Sequence, residues 1–298
     1  MKKIGTIFLF SLFTFVLSCS KSSNDNDSTD DPPIITEEQK RANLQGTGDS
    51  ANDILSNNNF DRILVEIGHV TGFRPTTEAI NGLTSFLQQH SFKQNIEFIY
   101  KELESPEEDD LTLQEIANLE SENRTVYNNG STLAIYIYFA DAPAEGDEED
   151  EGLVTLGAVY RNTSMVIHEA TIKRLAARSP IISDADVEVA TLNHEFGHLF
   201  GLVNLGTPAI NDHEDPDAEN HCNVLGCLMR AELQFGGGSG KSNVLANASY
   251  EDGIKPGCIL SGKTVLSLLQ SNTNTARGVA PPGLDPECIL DIQANGAR

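Results

Sequence analysis

Residues 194–204 read His-Glu-Phe-Gly-His-Leu-Phe-Gly-Leu-Val-Asn. His194 and His198 stand four apart, so on a helix both imidazoles lie on one face and can grip one metal ion. Glu195, beside the first of them, is placed to take a proton from a water held by that metal. Zinc suits such a pair because it accepts neutral imidazoles in a tetrahedron and brings no redox chemistry. The bland alternative is an amphipathic helix that happens to carry two histidines. With only seven histidines in 298 residues, chance supplies His-Glu-x-x-His in roughly one such chain in a hundred. Gly201, three residues past His198, lets the chain leave the helix in a left-handed turn.

Two imidazoles leave the metal short of a ligand. The run is similar to the zinc helix of the metzincin peptidases, which continues His-Glu-x-x-His-x-x-Gly-x-x-His. Here Asn204 takes the last place, and a neutral carboxamide is a poor zinc ligand. Downstream, His221-Cys222-Asn223-Val224-Leu225-Gly226-Cys227-Leu228-Met229 resembles the archaemetzincin string His-Cys-x-x-x-x-Cys-x-Met. Matrixins and archaemetzincins place a methionine eight residues beyond the third histidine, in the turn beneath the metal; Met229 stands eight beyond His221. The resemblance implies His221 as third ligand, Met229 as the Met-turn, and an insertion from about Leu205 to Asn220. His213, inside that insertion, is the rival ligand, but only His221 keeps the spacing to Met229. The resemblance also implies an α+β fold: a mixed twisted β-sheet carrying the zinc helix, then the Met-turn and a C-terminal helix. Metzincins bind an extended peptide antiparallel to an edge strand, and Gly157 to Ile167 is the expected edge.

The expected activity is that of a zinc metalloendopeptidase with one catalytic Zn2+. Three neutral imidazoles leave the metal its full charge, which lowers the pKa of a bound water to about 7. Glu195 would take the proton as general base and later hand it to the leaving amine. The alternative is a catalytically weak or inactive zinc-binding surface lipoprotein acting as a binding module, against which the intact Glu195 counts. A metal-dependent hydrolase acting on something other than peptides, or an incidental motif without zinc, are the remaining readings.

Residues 1–18 begin with Lys2-Lys3 and run apolar from Ile4 to Leu17. The run is short for a membrane crossing and reads as an export signal. Val16-Leu17-Ser18-Cys19 resembles a bacterial lipobox, which implies cleavage before Cys19 and diacylation of its sulfur; a plain secretory signal with an incidental cysteine is the alternative. The expected location is the outer membrane or cell surface, with the membrane touched through the lipid anchor only. Ser20 to Pro33 is Ser, Asn and Asp with almost nothing apolar, and a disordered acidic tether is expected over residues 19–50. The formal net charge of −24 argues against nucleic acid or an anionic membrane as main partner, and favours a peptide or protein substrate, basic ones included. The acidic run Asp147-Glu148-Glu149-Asp150-Glu151 and the group Asp212, Glu214, Asp215, Asp217 and Glu219 read as solvated loops. Ca2+ is the sharper alternative for each, although neither has EF-hand spacing.

The roughly 250 residues that remain suffice for one core. A metallopeptidase domain is expected over 51–298, with an upper subdomain of about 60–204 and a lower one of about 205–298. Branched and alternating runs place strands over Arg62 to Val70, Asn95 to Tyr100 and Thr132 to Phe139, with one or two more inside Thr155 to His168. Helices are expected from after Pro75 to Gln89, over Leu111 to Glu122, and from Asp184 through His198 behind a Ser183 cap. His69 and His168 belong to no ligand-spaced pair and are expected to be structural or surface residues. Asp285 to Gln293 resembles the terminal helix of matrixins, and Pro286 suits a helix start.

With Cys19 assigned to lipid, Cys222, Cys227, Cys258 and Cys288 remain. An even number in an exported chain points to disulfides. The expected pairs are Cys222–Cys227, bracing the segment before Met229, and Cys258–Cys288, fastening the last helix. Archaemetzincins offer another precedent, four cysteines on a structural zinc; they use a Cys-x-x-Cys pair that this chain lacks.

Overall fold

In strand β3 (Thr132–Phe139) the residues Leu133, Ile135, Ile137 and Phe139 alternate with Ala134, Tyr136 and Tyr138, and all seven are buried. Successive side chains of a strand point to opposite faces, so such a strand needs a packed layer on each side. The computed structural model describes residues 35–147, 154–178, 182–231 and 282–298, and it supplies both layers.

Strands β1 (Arg62–Val70), β2 (Asn95–Leu103), β3, β4 (Gly157–Arg161) and β5 (Ser164–Ile167) form one sheet in the order β2-β1-β3-β5-β4. All neighbours are parallel except β4, which runs antiparallel to β5 and forms one edge. Helices α3 (Thr77–His90) and α4 (Leu113–Asn123) make the parallel crossovers from β1 to β2 and from β2 to β3. The Leu133 set joins Ile63, Val65 and Ile67 of β1, Met165 of β5, and Leu83, Leu87, Leu192 and Phe196 from helices in the main core. The tyrosine set packs with Ile116 and Ala117 of α4 in a second core on the opposite face.

Helix α6 (Asp184–Leu199) lies in the main core, against α3, α5 (Glu169–Ala176) and β4. Its start is fixed by a capping box: Ser183 Oγ accepts from the Asp186 amide, and the Asp186 side chain accepts from the Ser183 amide. Its end is a Schellman turn, in which the Gly201 and Leu202 amides donate to the carbonyls of His198 and Gly197. Gly201 sits there at φ +75°, the left-handed geometry for which a glycine was expected.

Among the elements that escaped the sequence reading are α5 and a hairpin in the insertion. Helix α5 is only eight residues long, and its apolar positions Ile172, Leu175 and Ala176 make too short a stripe to recognise. The inserted segment folds a hairpin, β6 (Glu214–Asp215) with β7 (Ala218–Cys222), whose turn is closed by the Asp217 amide donating to Asp215 Oδ1. The Asp215-Pro216-Asp217 sequence carried that turn signal.

Residues 35–50, expected to belong to a disordered tether, are folded. From residue 35 onward the described chain is folded: α1 (Glu37–Ala42) starts with a Thr36–Gln39 capping box, and α2 (Ala51–Leu55) buries Ile54 and Leu55. Asn43, fully buried between them, donates to Asn128 Oδ1, the Ala134 carbonyl and Thr163 Oγ1, each at 3.0 Å. Composition could not reveal that a polar residue closes one end of the sheet. The expected export signal, Cys19, Cys258, residues 148–151 of the acidic run and the glycine-rich stretch 236–240 lie outside the described residues. No described helix is long and apolar enough to cross a membrane.

Candidate metal centre

His194 and His198 sit one turn apart on α6, and His221 comes to them from the end of β7. One ring nitrogen from each lies within 4.8 Å of the others, and the Nε2 atoms of His194 and His198 are 3.0 Å apart. Two nitrogens of a tetrahedral zinc site stand about 3.4 Å apart, given bonds of about 2.0–2.1 Å. The outer nitrogens explain the orientation. His194 Nδ1 donates to the Leu228 carbonyl at 2.7 Å, and His221 Nδ1 to the Glu219 carbonyl at 2.8 Å. A carbonyl can only accept, so Nδ1 carries the hydrogen and the Nε2 lone pair remains for a metal.

Burial holds the three imidazoles neutral. It pushes His194 down to about 3, helped by nearby His221 and opposed by the Leu228 carbonyl. It pushes His221 down to about 4, against its bond to Glu219 and the charges of Asp215 and Glu214. His198 lies well below its usual value for the same first reason, reinforced by its two histidine neighbours. Neutral imidazole is the form that binds metal.

Glu195 is fully buried, and neither of its carboxyl oxygens has a hydrogen-bond partner among the described residues. Burial drives its pKa well up, with the Val159 backbone acting weakly the other way. A buried carboxyl without a partner costs free energy, and such groups cluster at working sites. The donor set, its spacing and this orphaned acid all fit a zinc ion.

Met229 lies against the same helix. A Cβ on Gly197 would fall 2.1 Å from Met229 Sδ, so the glycine is the space that the sulfur fills. Asn204 takes no place among the imidazoles. It adopts φ +64° and donates to Glu214 Oε2 at 2.8 Å, tying the helix exit to the inserted hairpin. His69 bonds the Val70 carbonyl, and His168 the Ala142 carbonyl; neither joins the cluster.

His213 belongs to a second cluster behind the Met229 segment. Its Nε2 lies 2.7 Å from Asp291 Oδ2 on α7 (Pro286–Ala294), and its Nδ1 lies 3.3 Å from Cys222 Sγ. Cys222 donates to Asp285 Oδ2 at 3.3 Å, and Cys227 and Cys288 have their sulfurs 3.7 Å apart. Ligand atoms of His213, Cys222, Asp285 and Cys288 all fall within 4.8 Å of one another. The expected disulfides are thus corrected: Cys222, Cys227 and Cys288 are free and buried. The Cys222 sulfur faces His213 and Asp285, partners that the sequence reading did not foresee. Hydrogen bonds from the Cys227 and Cys288 thiols lower the Cys222 pKa from its ordinary value. Thiolate and imidazole donors suit zinc or another soft divalent ion.

The acidic run begins with a residue that has a structural task. Asp147 accepts from the Thr155 amide at 2.8 Å and so closes the loop that leads into β4. Of the acidic insertion, Glu214 and Asp215 lie in the hairpin beside His221 rather than in an open loop.

A crystal structure of archaemetzincin from Methanopyrus kandleri resembles this fold with a TM-score of 0.44 at 14% identity, covering 79% of this chain and 96% of that one. A likeness of that depth is too shallow to transfer function. No protein-family model matches the sequence, and no curated protein matches it. The functional reading therefore rests on the centre itself.

Proposed function

We propose that the chain is a zinc-dependent endopeptidase, with His194, His198 and His221 as ligands and Glu195 as general base. The observation that carries this reading is three buried, neutral imidazoles converging beside a buried carboxyl without a partner. When bound, zinc would supply an acidified water and positive charge for the developing oxyanion. The chain's own residues do the rest. Leu228 and Glu219 orient the rings, Glu195 accepts a proton and returns it to the leaving nitrogen, and burial raises the Glu195 pKa, which strengthens it as a base. Strand β4 is an edge of the sheet with no further strand paired to it among the described residues, and its backbone is where an extended peptide would add.

The second cluster is read as a structural zinc site, since free thiols converging with an imidazole resemble that chemistry more than a disulfide pair. Anchoring through lipidated Cys19 belongs to the same proposal, and loss of fatty-acid labelling in Cys19→Ala is its check.

The test combines metal analysis with a peptide-library cleavage assay on the purified protein and on Glu195→Ala. The expected result is full zinc content in both, with activity lower by about a hundred-fold or more in the variant. Comparable cleavage by Glu195→Ala would sink the mechanism. Zinc without cleavage of any peptide, in the native protein, would favour the binding-module alternative.

A further inference from the structure

The surface against which Glu195 rests is the backbone of the edge strand at Gly157. A Cβ built there would stand 3.1 Å from both Cγ and Oε1 of Glu195, and 3.0 Å from Cγ2 of Thr191. Carbon atoms in good contact are about 3.5–4.0 Å apart, so a methyl group here requires Thr191 and Glu195 to give way by a few tenths of an ångström. Thr191 and Glu195 are four apart on α6 and share the face turned to β4.

Gly157 is not there for its backbone. It is absent from the glycines with left-handed φ, and it pairs with Ile167 in ordinary antiparallel register. Glycine weakens a strand, and inside one it commonly marks a close approach by another group. Here that group is the carboxyl of the proposed base. Helix α6 cannot retreat, because Gly197 on the same helix is in contact with Met229. The edge strand is equally constrained by Val159, which is buried in the main core.

We propose that Gly157 is a positioning residue: its missing side chain lets the Glu195 carboxyl lie against β4, level with the strand that substrate would join. This inference rests on the peptidase reading, with Glu195 as base. A side chain at position 157 would press on the carboxyl rather than remove the metal, because the three atoms nearest to it belong to Thr191 and Glu195 and to none of the three histidines. A misplacement of about 1 Å at a reacting group costs on the order of a hundred-fold in rate.

The experiment uses the zinc-loaded protein and Gly157→Ala, with Thr191→Ser and Glu195→Asp made singly and in the Gly157→Ala background. Gly157→Ala is expected to keep wild-type zinc affinity, to lose kcat by about ten- to a hundred-fold, and to change KM by less than about three-fold. Glu195→Asp retracts the carboxyl by one methylene, so the Gly157→Ala/Glu195→Asp double variant should be no slower than Glu195→Asp alone. Losses that multiply in that double variant would overturn the proposal, as would recovery of activity in Gly157→Ala/Thr191→Ser, which would place the clash on the threonine methyl. A crystal structure of Gly157→Ala provides a readout that needs no turnover: a rotated Glu195 carboxyl supports the proposal, and an unmoved one refutes it. Should the wild-type protein cleave nothing, the peptidase reading fails, and the crystallographic comparison still decides whether Gly157 places Glu195.

Discussion

His221 reaches its two partners from a different element, and its removal tests the centre most directly. Without it, His194 and His198 remain on α6 as a two-nitrogen site. His221→Ala is expected to lower zinc affinity at this centre by about a hundred-fold or more, measured by titration against a competing chelator. His213→Ala should leave that affinity within about three-fold of wild type, because Asp291 and Cys222 hold His213 in the other cluster. The reverse result would mean that His213 is the ligand. At this scale the sequence was legible where the helix period does the work. The grouping of His194, Glu195 and His198 follows from spacing alone, whereas His221 was singled out through the resemblance and only the fold brings its ring to theirs.

Helix α6 is more than a carrier of ligands, because its first half is locked to its neighbours by buried carboxyls. Glu188 accepts from both the amide and the hydroxyl of Thr76, and Glu169 at the start of α5 lies fully buried beside it. Burial, with the adjacent Glu188 charge, pushes Glu169 up to about 10, and Lys173 opposes this only weakly. Raised above its unfolded value of about 4.3, this acid is protonated in the folded state. Its favourable contribution is complete below about pH 4 and declines as pH rises through the interval toward 10. Glu169→Gln replaces the proton with a permanent neutral group. The variant should gain on wild type by on the order of 1 kcal/mol per pH unit between about pH 5 and 9, read from urea unfolding across that range. A stability difference independent of pH would show that Glu169 is ionised in the folded chain. The sequence revealed the capped start of α6 but not this pair, since Glu169 and Glu188 stand on separate helices.

For the whole molecule, the segment around Asn43 shows that the fold extends beyond its sheet and helix α6. Asn43 bonds to a residue 120 positions away, Thr163, while its Oδ1 accepts from the Asn128 amide at 2.9 Å. Replacing it strands several buried polar groups at once. Asn43→Ala is expected to cost about 2–4 kcal/mol in chemical denaturation, with zinc affinity at the histidine centre unchanged in the folded protein. A loss below about 0.5 kcal/mol would mean that the N-terminal segment merely rests on the sheet. Gly48, at φ +84°, reinforces this docking: a Cβ there would fall 1.4 Å from the Leu205 carbonyl oxygen, just past the exit of α6. Residues 35–50 thus pack on both the sheet end and the turn that leads to the insertion.

The sequence by itself determined what repeats at short range. Helical spacing put two imidazoles and a carboxyl together, branched and apolar runs marked β1 and β3, alternation marked β2, and serine, aspartate and glycine signals bounded α6. Each follows from a local backbone period or from a hydrogen bond closed within a turn. Tertiary structure decided what depends on residues far apart in the chain. It set His213 against Asp291, 78 positions away, and left His221 at the centre. It left Cys222, Cys227 and Cys288 as buried free thiols where disulfides were expected. It also gave the glycine at 157 its meaning, because the space it leaves is filled by a side chain from another element. Such contacts are fixed only when the core closes around them, and no period in the sequence encodes them.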